Sequence, residues 1–299
     1  MKFLIDLIAS KIYKKNPGHG KKILANIEAM DSEIKENSEL FLRKVLLVLN
    51  KLNKNIDFAV DSYLKMVNDM LKEQFIFLKT NKYSNQSFAD VNQKVYNNPQ
   101  VMQYHMIGLL ISQFIWKQHL DTFIFFSKGL KKIKDDKIIN FLEIGGGHGL
   151  YLSEAIKLFP DSRFDLIDIS SSSIEIAKSF IENNNVNYLC GDIFEFRRFQ
   201  FYNFITLGEV LEHVEDPKRL IKHIHILLYK QGLLFISVPI NSPAIDHIFL
   251  FKNENEIKEL FKDLFAIIED KIIITENVDI EIARKNRIPI MYTAFLKKI

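Results

Sequence analysis

Residues 140–151 read Asn-Phe-Leu-Glu-Ile-Gly-Gly-Gly-His-Gly-Leu-Tyr, and the fold is decided there. A short apolar run (Phe141, Leu142, Ile144) carries one acid, Glu143, and breaks into Gly145, Gly146, Gly147 and Gly149. Apolar residues then resume at helical spacing through Leu150, Leu152, Ala155, Ile156 and Phe159. The pattern predicts a buried strand turning sharply into a helix, with no side chains at the turn to hold a ligand off its backbone. The start of the helix adds unpaired N–H groups and a partial positive charge. A ligand with an anionic or acceptor group is expected to lie against it.

The spacing narrows the choice of ligand. A dinucleotide site wants G-x-G-x-x-G, but Leu150 stands where the third glycine belongs and Gly149 comes one residue early. A phosphate-cradling loop would end in Gly-Lys-Ser/Thr, which is absent. Working outward, Arg163–Ser170 is a second strand-like run ending in Asp168, 19 residues after Gly149. An acid at the end of the neighbouring strand suits a ribose diol. Val186–Asp192 reads as a third strand tipped by Asp192, Phe201–Leu207 as a fourth and Gly232–Pro239 as a fifth, in βα alternation.

The form Glu143-Ile-Gly145-Gly146-Gly147-His-Gly149 resembles the first motif of class I S-adenosylmethionine (SAM) dependent methyltransferases. The resemblance implies an α/β fold with a Rossmann-like seven-stranded sheet. Ile268–Thr275 and Ile288–Leu296 would form its closing antiparallel hairpin. It implies that SAM is bound by Glu143, the four glycines and Gly208, with Asp168 on the ribose and Asp192 close to the adenine amino group. It covers residues 139–299 and says nothing of 1–138.

Gly208-Glu-Val-Leu-Glu-His-Val-Glu-Asp-Pro217 follows the fourth strand, in the region that borders the transferred methyl group in this family. Glu209, Glu212 and His213 stand at i, i+3 and i+4, so one helical turn would project all three from one face. Two carboxylates and an imidazole suit a divalent cation such as magnesium, manganese or iron. E-x-x-E-H resembles the metal motif of small-RNA 2′-O-methyltransferases and of ubiquinone-pathway O-methyltransferases. A further histidine completes the site in the RNA enzymes, and His247, preceded by Asp246 in the loop 241–251, is the candidate here. The competing reading is a site without metal, with His213 as general base. His223 and His225 are expected to be surface or packing residues.

Residues 1–138 show helical periodicity and no strand signals, which predicts an all-α substrate or lid domain. Helices are expected over Ser38–Leu52, Phe58–Leu78 and Val101–Leu130, with loops at Asn16–Gly20 and Asn81–Gln100. His105 and His119 would share the last helix, each more in keeping with a satisfied core histidine than with a place in the acceptor pocket. The charged run Lys131–Asp136 is the expected connector, giving domains 1–138 and 139–299. A helix capped at Asn253, with Glu256 in the capping-box position, is expected over 253–265.

Net charge is +3, but residues 1–138 hold 22 Lys and Arg against 14 Asp and Glu, and the remainder 18 against 23. A surplus of eight positive charges on the helical half suits either solvated lysine faces or a negatively charged acceptor. With Arg43 its single arginine and no RNA-binding motif, a nucleic-acid partner is disfavoured. Cys190, the one cysteine, is expected to be buried and inert. The opening MKFLIDLIASKIYKK is interrupted by Asp6 and no 18-residue apolar run occurs, so neither signal peptide nor membrane span is expected, and a cytoplasmic address follows. The leading expectation is SAM-dependent O-methylation of a small-molecule diol, catechol or sugar hydroxyl. The alternatives are methylation of RNA or another polyanion, and a SAM-binding regulatory protein without catalysis.

Overall fold

In the amino-terminal half, side-chain caps start the second, third and fourth helices. A computed structural model describes residues 3–133, 139–181, 183, 185–276 and 278–299. Helix α1 (Leu4–Lys15) is followed at once by α2 (Pro17–Glu28). Asn-Pro-Gly-His-Gly, expected as a loop, is a helix start: the Asn16 side chain accepts from the His19 N–H at 3.1 Å, and Pro17 takes the first position, where no N–H is needed. Asp31 caps α3 (Ser32–Lys51), and Asn55 caps the 25-residue α4 (Ile56–Thr80). The expected loop 81–100 contains a short helix, α5 (Phe88–Val91), and a π-helical turn, Asn92–Tyr96.

The apolar stretch expected as one helix is two, α6 (Pro99–Ile115) and α7 (Lys117–Lys132). Trp116 is extended (φ −98°, ψ 127°), and its indole N–H donates to the Tyr63 hydroxyl at 2.6 Å. Neither glycine nor proline marks this break, so periodicity carries straight through it. His105 and His119 therefore sit on separate helices. The expected boundary at 138/139 lies at the edge of residues 134–138, which are outside the described residues.

The carboxy-terminal half holds β1 (Asn140–Ile144), α8 (Leu150–Leu158), β2 (Arg163–Asp168), α9 (Ser171–Phe180), β3 (Val186–Cys190), β4 (Tyr202–Gly208), α10 (Pro217–Leu227), β5 (Leu228–Ile240), α11 (Glu254–Phe261), β6 (Phe265–Ile274), α12 (Ile280–Lys285) and β7 (Ile290–Lys298). The sheet order is β3-β2-β1-β4-β5-β7-β6, with β7 antiparallel to both neighbours. Ile144 lies level with Ile167 of β2 and Leu207 of β4, so three strands end at one height. The crevice above those ends is where an α/β sheet of this kind receives ligands.

One core, on one face of the sheet, runs without interruption into the amino-terminal helices. Phe126 of α7 packs against Tyr151, Phe204, Phe235 and Phe295, and a Cβ on Gly129 would come within 2.1 Å of the Phe295 ring. The second core lies between the other face and α10 and α11. The Asn253 cap forms as expected, and Glu256 reaches back to accept from the Lys252 N–H at 2.9 Å. Cys190 departs from expectation: it is exposed at the end of an edge strand, not buried. No helix among the described residues is long and apolar enough to cross a membrane.

Candidate active site

The turn after β1 is shaped by backbone requirements. Gly145 and Gly147 have φ of +62° and +51°, a left-handed conformation that costs other residues free energy. A Cβ on Gly147 would stand 3.0 Å from the Met106 methyl group. Gly145, Gly146, Gly147 and His148 line a cavity of about 1210 Å³, together with Glu143, Asp168, Asp192 and Gly208. Gly149, expected among the ligand-binding residues, is not on that wall. It faces α9, where a Cβ would lie 2.5 Å from Ile181, so this glycine packs helix against helix.

The acids at the strand ends brace the turn. Asp168 Oδ2 accepts from the Gly147 N–H at 2.9 Å and Oδ1 from the Ser170 N–H at 2.8 Å. Burial raises the Asp168 pKa, opposed by those two bonds. Glu143 accepts from the Leu152 N–H at 2.8 Å, and burial pushes it up to about 8. Asp192 caps the turn after β3, accepting from the Phe194 N–H at 2.8 Å. Two of the three acids thus support the first turn of α8 and the glycine turn as well as facing the cavity.

A second cluster lies beyond β4. The chain does not form the expected helical turn from Glu209: that residue has φ +54°, and only Leu211–His213 make a single 3₁₀ turn. Glu209 is thereby left out of the cluster that Glu212 and His213 form with His247. Its carboxylate lies 3.9 Å from His119 Nε2, and burial raises it to about 7. Glu212, His213 and His247 do come together, their ligand atoms within 4.8 Å of one another. The loop after β5 is tied here by the Ile248 and Phe249 N–H groups, which donate to the Glu212 carbonyl at 2.8 and 2.9 Å.

Glu212 is fully buried, and neither carboxylate oxygen has a hydrogen-bond partner among the described residues. Burial pushes its pKa well above the usual range, and Glu209 adds to this. Its Oε1 lies 3.6 Å from His213 Nε2 and 3.9 Å from His247 Nε2. The Nδ1 atoms of the two rings sit 2.9 Å from the Asp246 carbonyl and 2.6 Å from the Ser242 carbonyl. Carbonyl partners make Nδ1 the protonated nitrogen, so both Nε2 lone pairs are free on the Glu212 side. Histidines that ligate metals are commonly oriented in this way. An orphaned buried carboxylate facing two imidazole lone pairs fits a divalent cation.

Sequence reasoning overlooked several neighbours. Tyr96, in the segment expected as a loop, brings its hydroxyl 3.0 Å from His213 Nδ1. Asp246 Oδ2 lies 3.6 Å from His213 Nδ1 and 3.8 Å from His105 Nε2. Burial raises Asp246, but His213, His105 and His247 outweigh it and hold the carboxyl below its usual value. His105 and His119, expected as core residues, are buried but also line the cavity. His223 and His225 lie on α10 away from the cavity. The apolar stretches that hid His105 and His119 in the sequence belong to two helices that border the cavity.

Residues 117–264 match the family described as a methyltransferase domain. The malonyl-[acyl-carrier protein] O-methyltransferase 1 of Ilyobacter polytropus is 29% identical over 157 residues, covering 52% of this chain and 52% of that protein. The ubiquinone biosynthesis O-methyltransferase of Coxiella burnetii is 40% identical over 99 residues, 32% of this chain and 42% of that one. The chain thus spans about half or less of the length of these curated relatives. The solved N-methyltransferase NodS of Bradyrhizobium japonicum, in complex with S-adenosylhomocysteine, aligns at a TM-score of 0.47 and 16% identity over 61% of this chain and 88% of that one. Over residues 117–264 the chain is thus similar to SAM-dependent methyltransferases, and its sheet order is that expected of the class I fold.

Proposed function

We propose that the protein transfers the methyl group of SAM to an oxygen of a small-molecule acceptor, aided by a divalent cation. The observation that carries the reading is that the glycine turn and Asp168 share one cavity wall with His213 and His247. The donor supplies an electrophilic methyl group on a sulfonium. The N–H groups of the turn and the Asp168 carboxylate are its anchors, with Asp192 towards the base. Glu212, His213 and His247 would hold magnesium, manganese or iron, which would lower the pKa of an acceptor hydroxyl and bind two neighbouring oxygens, as in a diol, catechol or sugar. Asp246 and Tyr96 orient His213, and Ser242 orients His247. Helices α6 and α7 exclude water and align the acceptor in line with the methyl group. The O-methyltransferase names of the two relatives support oxygen as the acceptor.

A second reading has its own support. His213 lines the cavity and its Nδ1 is engaged by the Asp246 carbonyl, so without an ion its Nε2 is the candidate to take the hydroxyl proton. Calorimetry with SAM and turnover on a catechol and diol panel, each with and without chelator, separate the two. Micromolar-range SAM binding is expected, weakened in Asp168→Ala by about 1–3 kcal/mol, with turnover lost in chelator. Full turnover in chelator leaves His213 as base. Absence of SAM binding rejects both readings.

A further inference from the structure

Among the described residues, seven non-glycine residues have left-handed φ, and two of them line the cavity: Glu209 and Arg287. Arg287 (φ +52°) follows α12. The Ile288 N–H donates to the Ala283 carbonyl at 2.9 Å, and the Arg287 N–H donates to the Arg284 carbonyl at 3.3 Å. That pair of bonds is the Schellman ending of a helix, and its left-handed position is normally given to glycine. An arginine held there at a cost in free energy is a backbone outlier of the kind found at ligand sites.

The other cations on the cavity wall are engaged. Lys22 pairs with Glu276 and Lys117 with Asp121, while the Arg219 guanidinium lies 4.1 Å over the Phe194 ring. Arg287 is half-buried, and no carboxylate among the described residues lies within ion-pair distance of it. Its position in the fold assigns the side of the cavity. It stands three residues before Ile290, which pairs with Ile240 at the end of β5, next to the loop that carries His247. The donor-binding turn and Asp168 belong to β1 and β2, on the opposite side of β4. Arg287 therefore borders the acceptor, not the donor.

We propose that Arg287 is the specificity-determining anchor for an acidic group, carboxylate or phosphate, on the acceptor. This rests on the methyl-transfer reading above, with the reacting oxygen near His213 and His247. The guanidinium offers a fork of donors that matches either anion, and partial burial shields the pair from water.

The test is calorimetry on the 299-residue chain with S-adenosylhomocysteine bound. The probes are 3,4-dihydroxybenzoate, 3,4-dihydroxyphenylphosphonate and the neutral 3,4-dihydroxybenzamide. The wild type is expected to bind at least one anion at least about tenfold more tightly than the amide, a difference typical of one charge-assisted pair. The tighter of the two anions identifies carboxylate or phosphate as the natural group. Arg287→Gly and Arg287→Asn tolerate the left-handed backbone, so their melting temperatures should be unchanged or higher, yet the preference should fall to within about twofold. Arg287→Lys should keep part of it. Equal binding of anions and amide by the wild type, no binding of either anion, or a preference that survives in Arg287→Gly overturns the assignment while leaving the methyl-transfer reading standing. Failure of the wild type to bind S-adenosylhomocysteine removes that reading and this inference together.

Discussion

Replacing Glu212 by glutamine inverts its effect on stability according to whether metal is present. Without metal, the wild type buries a carboxyl with no hydrogen-bond partner for either oxygen, which costs about 1–3 kcal/mol. The glutamine amide has nearly the same shape and can donate to the Nε2 lone pairs of His213 and His247, which lie 3.6 and 3.9 Å from the present Oε1. Glu212→Gln should therefore unfold at higher denaturant concentration than the wild type in chelator, by about 2 kcal/mol. With manganese or magnesium at a hundred times its dissociation constant, the wild type gains about 2.7 kcal/mol by mass action. The variant has lost the anionic ligand and should gain little, so the order of the two proteins reverses. Urea titrations of both proteins, in chelator and in excess metal, read this directly and need no substrate. Equal responses to metal would refute the assignment of Glu212 as a ligand. A variant less stable than wild type in chelator would refute the claim that its carboxyl is an orphan.

Two further expectations follow from the buried acid under the loop and from the shared core. Glu143 keeps its proton up to about pH 8 in the folded protein but loses it near 4.5 when unfolded, so between those values the unfolded state binds fewer protons and stability falls as pH rises. Glu143→Gln lacks that slope, and its stability relative to wild type should grow by about 1.4 kcal/mol per pH unit from pH 5 upward; parallel pH curves would contradict it. Phe126→Ala should cost about 3–5 kcal/mol in one cooperative transition, because the side chain packs against four aromatic residues from β4, β5, β7 and α8. Two separated transitions, with only the first shifted, would show that the helical half unfolds by itself.

The carboxy-terminal fold was legible because its signals are local. Glycine punctuation after β1, acids at strand ends and apolar runs of strand length are each set by a few adjacent residues. The seven-stranded order follows the βα alternation and the closing antiparallel pair. The helical half was legible in type but not in its breaks. Asn16-Pro17 reads as a turn when its partners are unknown, yet the Asn16 side chain serves the His19 N–H and makes a cap. The break at Trp116 depends on Tyr63, 53 residues earlier in the chain, which no local pattern could disclose. Cys190 was misjudged for a related reason: β3 is an edge strand, and edge position is a property of the sheet, not of the segment.

The site was legible only where its residues lie close in sequence. Glu212 and His213 follow from the E-x-x-E-H spacing. Glu209 shares the spacing but not the geometry, because its positive φ takes it out of the turn before the 3₁₀ segment begins. A periodicity argument assumes uniform backbone, and functional turns are where that assumption fails. The groups that orient the histidines are longer-range still: the Asp246 and Ser242 carbonyls and the Tyr96 hydroxyl reach the rings across separate segments. Arg287 shows the same logic from the other direction. In sequence it is one cation among 40, and it stands out only when a helix ending that favours glycine, a guanidinium with no carboxylate partner among the described residues and a place on the cavity wall fall on one residue. What the chain conceals is thus neither its fold nor its glycine turn but the rest of the cavity wall, where the backbone of Glu209 and Arg287 departs from the local rule.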